Sequence, residues 1–263
     1  SFPPLLAARM LKIPAALHEQ NAVLGRANRM LAKHVTAIAT SFEHTKFIDG
    51  ALSQKARFTG NPVRSLVIEQ AARLYQAPDS SGPISLVVFG GSQGARYFSE
   101  SVPPALMLLP EALRTRIHLV QQAREEDMAS VTAQYAAAGI KAEVAPFFKD
   151  LPARMAASHL VIARAGASSV AELAVLGRPS ILVPLPHALD NDQLQNATRL
   201  AESGGAWCIE QKVLTPERLC AEIAGILQDP QRLVRAAAAA RVSGRPDAVA
   251  RLADLVEELA RAT

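Results

Sequence analysis

The eleven residues HALDNDQLQNA (187–197) contain one His, two Asp, two Asn and two Gln. They follow GRPSILVPLP directly, whose SILVPL stretch (180–185) reads as a buried strand ending in prolines. Side-chain amides carry donors and acceptors together, the combination that meets sugar hydroxyls and acetamido groups. Such a cluster either solvates a loop or reads a polar ligand. Asp190 or Asn191 is placed to cap a helix over 192–202, which would project Gln193 and Asn196 from its first turn.

Two more loops of similar character follow apolar runs. In GGSQGAR (90–96), Gly90, Gly91 and Gly94 allow close backbone approach and positive φ. Ser92 adds a hydroxyl, and the next helix offers free N–H groups, an arrangement suited to phosphate or simply to a tight strand-to-helix turn. The pattern is neither GxGxxG nor GxxxxGK[ST], which argues against dinucleotide and P-loop sites. In RAGASSVAEL (164–173), Ser168 is a candidate N-cap. Glu172 falls about one turn into the helix, either to accept the vicinal hydroxyls of a ribose or to complement the helix dipole.

The N-terminal portion carries two further pieces. HEQNAVLGRANRML (18–31) places Arg26, Arg29 and Lys33 on one helical face, opposite Leu24, Ala27 and Leu31. That face either meets anionic headgroups or a diphosphate, or is solvated. TGNPVR (59–64) is a Pro-stiffened hinge that presents Arg64 to whatever lies across it. An arginine there can neutralise a leaving diphosphate.

Elements able to position these loops alternate along the chain. Candidate strands are 13–17, 35–40, 84–89, 116–121, 141–147, 159–163, 180–185 and 206–210. Amphipathic segments lie at 95–109, 124–138, 168–176, 190–202 and 215–228, and two Ala- and Arg-rich helices follow at 231–242 and 246–262. Val-, Ile- and Leu-rich strands with helices between them predict parallel βα units and sheets buried on both faces. The turn-rich segment 60–83 separates the first units from the rest.

Of the 263 residues, 49% are hydrophobic and 20% charged, which is core-forming and excludes a disordered chain. The net charge of +4 is dispersed, which argues against a nucleic-acid stripe. Cys208 and Cys220 have neither CxxC spacing nor a paired His, so no zinc or disulfide framework is indicated. No apolar run reaches the roughly 18 residues of a membrane span. The opening SFPPLLAARMLKIP reads as a helix under way rather than a signal peptide, and an upstream portion is expected.

The stretches LHEQNAVLGRANRMLAK, TGNPVR, VVFGGSQGAR and RAGASSVAELAVLGRPSILVPLPHALDNDQLQNA together resemble one family over nearly the whole chain. It is the bacterial N-acetylglucosaminyltransferase family that converts lipid I to lipid II. The resemblance implies an α/β fold of GT-B type, two Rossmann-like domains with the first incomplete here. Its boundaries would be 1–64 for the acceptor and membrane side, 65–245 for the donor domain, and 246–263 for a helix returning to the first domain. It implies that Ser92 binds the diphosphate of UDP-GlcNAc, that Arg64 faces it, and that Glu172 holds the ribose. Backbone around Phe148 would hold uracil, Gln193 the GlcNAc, and Asn21 would reach the donor. Gln93, Gly94, Ala167, Ser168 and Ser169 would complete the site.

The resemblance implies lipid I as acceptor and peripheral attachment to the cytoplasmic face of the bacterial inner membrane, with no nucleic-acid partner. It implies no required cofactor, with a divalent ion on the diphosphate left open. The family's Gly-rich loop ending in His has no counterpart here, which leaves His18 and Glu19 as weak candidate bases. Donor binding without transfer is therefore expected of this chain. The rival readings are another GT-B enzyme acting on UDP-sugars, a nucleotide-sugar binding module, and a dinucleotide oxidoreductase.

Overall fold

The computed structural model describes residues 2–186 and 189–261, with backbone alone for Phe2, residues 92–95 and Leu189. The chain begins with α1 (Phe2–Met10), β1 (Ala16–Glu19), α2 (Arg26–Ala32), β2 (Ala37–Thr40), β3 (Ala56–Phe58) and α3 (Ser65–Gln70). Strands β1, β2 and β3 pair in parallel in that order, with Ala16 opposite Ala37 and Ile38 opposite Ala56.

A second series follows: β4 (Ile84–Phe89), α4 (Gly91–Met107), α5 (Glu111–Arg114), β5 (Ile117–Gln122), α6 (Glu125–Ala137), β6 (Lys141–Ala145) and α7 (Leu151–Ala157). It continues through β7 (Leu160–Ala163), α8 (Ala167–Leu176), β8 (Ser180–Leu182), α9 (Asp192–Glu202) and β9 (Ala206–Cys208). The helices α10 (Pro216–Leu227), α11 (Pro230–Ser243) and α12 (Ala248–Arg261) end the chain. The strands form one parallel sheet in the order β6-β5-β4-β7-β8-β9. This is the doubly wound order, whose direction reverses between β4 and β7, so a crevice opens at their carboxyl ends. Periodicity did not predict the short α3, which falls in the segment read as turn-rich, nor α5 and α7; α7 carries Pro152 near its start, a start signal in a segment too short to show a period.

Burial on both faces explains the apolar runs. Ile84, Leu86 and Val88 of β4 face Phe98, Val102 and Leu106 of α4. Val87 and Phe89 pack on the other side with Met155, Val170 and Leu173. The chain crosses between the sheets at Thr59–Arg64 and again at Gly244–Asp247. After the second crossing α12 lays Leu252, Leu255 and Leu259 against Ala16 of β1 and Ala37 and Ala39 of β2. The crossings touch: a Cβ on Gly60, whose φ is +83°, would lie 2.6 Å from the Arg245 Cβ. Gly60→Ala therefore combines left-handed strain with a backbone-level clash, and should cost about 2 kcal/mol. A urea midpoint equal to that of the wild type would refute this.

Two half-buried histidines tie this frame together. His18 Nε2 lies 3.3 Å from the Gly60 carbonyl oxygen and 3.2 Å from Ser41 Oγ. His159 Nδ1 accepts the Ser85 N–H at 2.9 Å. Burial draws both pKa values below 6.5, and Arg178 adds to the effect at His159. The unfolded chain thus takes up these protons first. Their contribution is complete above pH 6.5 and is lost as pH falls through the folded values. The thermal midpoint should drop between pH 7.5 and 5.5, and a His18→Gln/His159→Gln variant should show a shallower drop. An equally steep profile in that variant would refute the assignment.

Candidate active site at the sheet edge

A cavity of about 300 Å³ opens where the carboxyl ends of β4, β5, β6, β7 and β8 converge. Arg64, Gly91, Gln122, Phe148, Arg164, Ser169 and Gln193 are among its lining residues. Two helices start at it. The N-caps of α4 and α8 are Gly90 and Gly166, and neither makes a side-chain cap hydrogen bond. Their first N–H groups and positive dipole ends favour an anion at this place. Gln122 Oε1 takes the Gly91 N–H at 3.1 Å and stands near the Gly90 N–H at 3.4 Å. Gly91 needs its φ of +64° to make this turn. The side chains of Ser92 and Gln93 lie outside the described residues, and Gly94 is described as helix backbone alone.

The loop after β7 differs from expectation in its cap. Gly166 occupies the N-cap position, so Ser168 is the second residue inside α8 rather than its cap. Ser169 lines the cavity, whereas Ala167 lines a separate crevice of about 330 Å³ between the two sheets, with Phe42 and Asn61. Glu172 is buried, and both its oxygens accept from Arg64, at 2.8 Å each. The hydrogen bonds to Glu172 raise the Arg64 pKa further above the arginine range, and half of the Arg64 side chain is solvent-exposed. The two residues assigned separately to ribose and diphosphate thus meet each other across the crevice.

Gln193 projects from the first turn of α9, as its position in HALDNDQLQNA suggests. Its Oε1 accepts the Leu185 N–H at 3.0 Å and the Ala165 N–H at 3.3 Å, joining the ends of β8 and β7. That leaves its Nε2 hydrogens for a ligand. Asn196 does not reach the cavity. It is fully buried, accepts the Ala22 N–H at 2.7 Å, and donates to Asn21 Oδ1 at 3.0 Å and the Ala165 carbonyl at 3.1 Å. Asn21 is thereby engaged inside this network, beside the cavity rather than in its wall.

Four other expectations change. Glu19 is not free to act as a base: its carboxylate accepts from the Asn21 N–H at 3.0 Å, the Gly25 N–H at 2.9 Å and Asn28 Nδ2 at 2.8 Å. It anchors the loop from β1 to α2. His18 sits against Gly60, outside the cavity wall. Asn191 occupies the N-cap position of α9 as expected, but in left-handed backbone (φ 52°) and without a side-chain cap hydrogen bond, and Asp190 is left-handed too, with φ of 58°. Asp190 instead pairs with Arg29 at 2.9 Å, and the Arg29 guanidinium lies 4.5 Å from the Phe47 ring centre. The basic face of α2 is thus partly engaged within the protein.

The sequence reading missed Arg164, Gln122 and Phe147, all of which line the cavity. The available signal was position: Gln122 and Arg164 each end or follow an apolar strand whose carboxyl end opens on the crevice.

Residues 85–252 match the glycosyltransferase family 28 C-terminal domain. The UDP-N-acetylglucosamine–N-acetylmuramyl-(pentapeptide) pyrophosphoryl-undecaprenol N-acetylglucosamine transferase of Methylobacterium sp. strain 4-46 is 55% identical over 261 residues, covering 99% of this chain and 70% of that protein. The same-named protein of Rhodopseudomonas palustris strain BisB18 is 54% identical over 260 residues, covering 99% of this chain and 69% of that protein. The crystal structure of Acinetobacter baumannii MurG superposes with a TM-score of 0.82 at 31% identity, over 98% of this chain and 71% of that one. A Listeria monocytogenes structure described as a putative UDP-N-acetylglucosamine 2-epimerase shares the fold, with a TM-score of 0.67 at 14% identity. With two parallel α/β sheets flanking a crevice and relatives this similar along nearly its whole length, the chain belongs to the family of GT-B N-acetylglucosaminyltransferases that includes MurG.

Proposed function

We propose that the cavity at the β4–β7 reversal binds UDP-GlcNAc. The reaction it serves passes GlcNAc to the muramoyl 4-hydroxyl of lipid I, giving lipid II for peptidoglycan with inversion at the anomeric carbon. The observation that carries this reading is the convergence of two helix N-termini, Arg64 and the Gln193 amide on one cavity of about 300 Å³, with buried Glu172 paired to Arg64. The helix N-termini and Arg64 would take up the charge that develops on the diphosphate as UDP leaves. No group of three or more His, Cys, Asp or Glu among the described residues is placed to hold a metal ion.

Donor entry would exchange partners. The ribose hydroxyls replace Arg64 on Glu172, and the freed Arg64 turns to the diphosphate. Neither charge is then left bare, which matters because Glu172 is buried. The wall at Phe148, buried at the end of β6, offers backbone groups to uracil. Calorimetric titration should show UDP-GlcNAc binding in preference to UDP-glucose and NAD. Gln193→Ala should weaken UDP-GlcNAc about tenfold, the loss of one or two hydrogen bonds, with UDP affected less. Equal affinity for UDP-GlcNAc and UDP-glucose, or a tighter complex with NAD, would refute the assignment.

Attachment to a membrane surface rests on a second region. Met10 at the end of α1 and Leu11 and Ile13 just past it are 84%, 70% and 54% exposed, and Met30 on α2 is 60% exposed. Desolvation lowers the His34 pKa nearby, and the gathered charges of Arg9, Lys33 and Lys55 lower it further. Apolar side chains beside a basic cluster suit peripheral binding to anionic lipid, the surface from which lipid I would be presented. No helix among the described residues is long and apolar enough to cross a membrane. The chain should co-sediment with phosphatidylglycerol vesicles and be released by high salt. Leu11→Ser/Ile13→Ser should abolish sedimentation, and undiminished binding by that variant would refute the patch.

A further inference from the structure

Arg164 is 6% exposed, and no carboxylate among the described residues pairs with it. Its Nη1 donates to the carbonyls of Val183 at 3.1 Å and Pro184 at 3.2 Å, and its Nη2 donates to Gln211 Oε1 at 2.7 Å. The guanidinium lies 5.0 Å from the Tyr97 ring centre and 5.2 Å from that of Phe98. Its Nε meets no acceptor among the described residues. Neutral carbonyls and aromatic faces solvate this cation in part, but nothing neutralises it. Burial draws its pKa down, yet an arginine in a protein stays protonated.

A buried charge without a counter-ion costs several kcal/mol, and packing alone does not call for one. A methionine or leucine could fill the space between α4 and the end of β8. The cation stands at the wall of the donor cavity, where the N-termini of α4 and α8 also converge. All three features carry the same sign. The buried carboxylate of Glu172 is paired with Arg64.

We propose that Arg164 is a positioning residue that supplies the buried counter-charge for the donor's diphosphate. It also ties the β7 and β8 ends to α4 through Val183, Pro184, Tyr97 and Phe98. The inference rests on the donor-site reading above and goes beyond it by assigning the diphosphate, rather than the nucleoside, to this residue. Its guanidinium is held by backbone carbonyls, so it acts through the field and through loop placement.

The test is calorimetric titration of the chain and of Arg164→Lys and Arg164→Met with uridine, UMP and UDP. Arg164→Met should bind uridine within about twofold of wild type and lose about tenfold or more in UDP affinity, the scale of one partly screened charge. Arg164→Lys should restore most of the UDP affinity. In the unaltered chain, the Nε–H resonance of Arg164, identified by its loss in Arg164→Lys, should shift with UDP and not with uridine; this readout holds even if Arg164→Met fails to fold. Proportional loss of uridine and UDP would show a scaffold role only and overturn the proposal, as would unchanged UDP binding in Arg164→Met. A wild-type chain that binds no UDP would overturn the donor reading itself, and this inference with it.

Discussion

The buried amide of Asn196 is the contact on which the arrangement of the site depends. One side chain holds the Ala22 N–H and Asn21 from the loop after β1, and the Ala165 carbonyl from the loop after β7. It therefore joins the first sheet, the second sheet and the start of α9. A buried amide that satisfies three backbone or side-chain groups has little freedom to relocate, because each broken bond would leave an unpaired polar group costing about 1–3 kcal/mol. Gln193 lies one turn before Asn196 on the same helix, so fixing Asn196 also fixes the side chain that faces the cavity. The Glu19 carboxylate performs the same service one layer out, by holding the loop that presents Ala22.

The second constraint is charge. The cavity collects two helix N-termini, Arg64 and Arg164, and the buried carboxylate of Glu172 pairs with Arg64. Positive potential concentrated in a crevice of low dielectric is suited to an anion of high charge. The Arg64–Glu172 pair spans the crevice, with one partner half-exposed and the other buried. Its net contribution to stability is small because solvent screens the arginine. Its consequence is geometric: it holds the hinge segment 59–64 against α8 until a ligand offers both groups something better.

Much of the architecture was legible in the residue pattern. β4 and β7 are Val- and Ile-rich because both of their faces are covered, and such runs are hard to mistake. The glycines at 90, 91 and 166 marked the helix starts at the cavity. The caps were legible only in part: Asn191 is the N-cap of α9 but in left-handed backbone with no side-chain bond, and Ser168 falls inside α8 behind Gly166, because residue preference alone does not encode which neighbour becomes the cap. The partners of Arg64, Glu19 and Asn196 were likewise hidden, since each bond links residues up to 175 positions apart or depends on how a loop closes.

The sequence by itself determined the alternation of strands and helices, the parallel α/β class and the loops that would gather at one sheet edge. It did so because apolar periodicity, glycine and proline act locally. Tertiary structure alone decided which polar side chains face the cavity and which are consumed in joining the sheets. Gln193 and Asn196 sit three residues apart in one polar cluster, yet one lines the cavity and the other is sealed beneath it. Helix orientation against two sheets sets that difference, because the side that packs must have its hydrogen bonds satisfied from within.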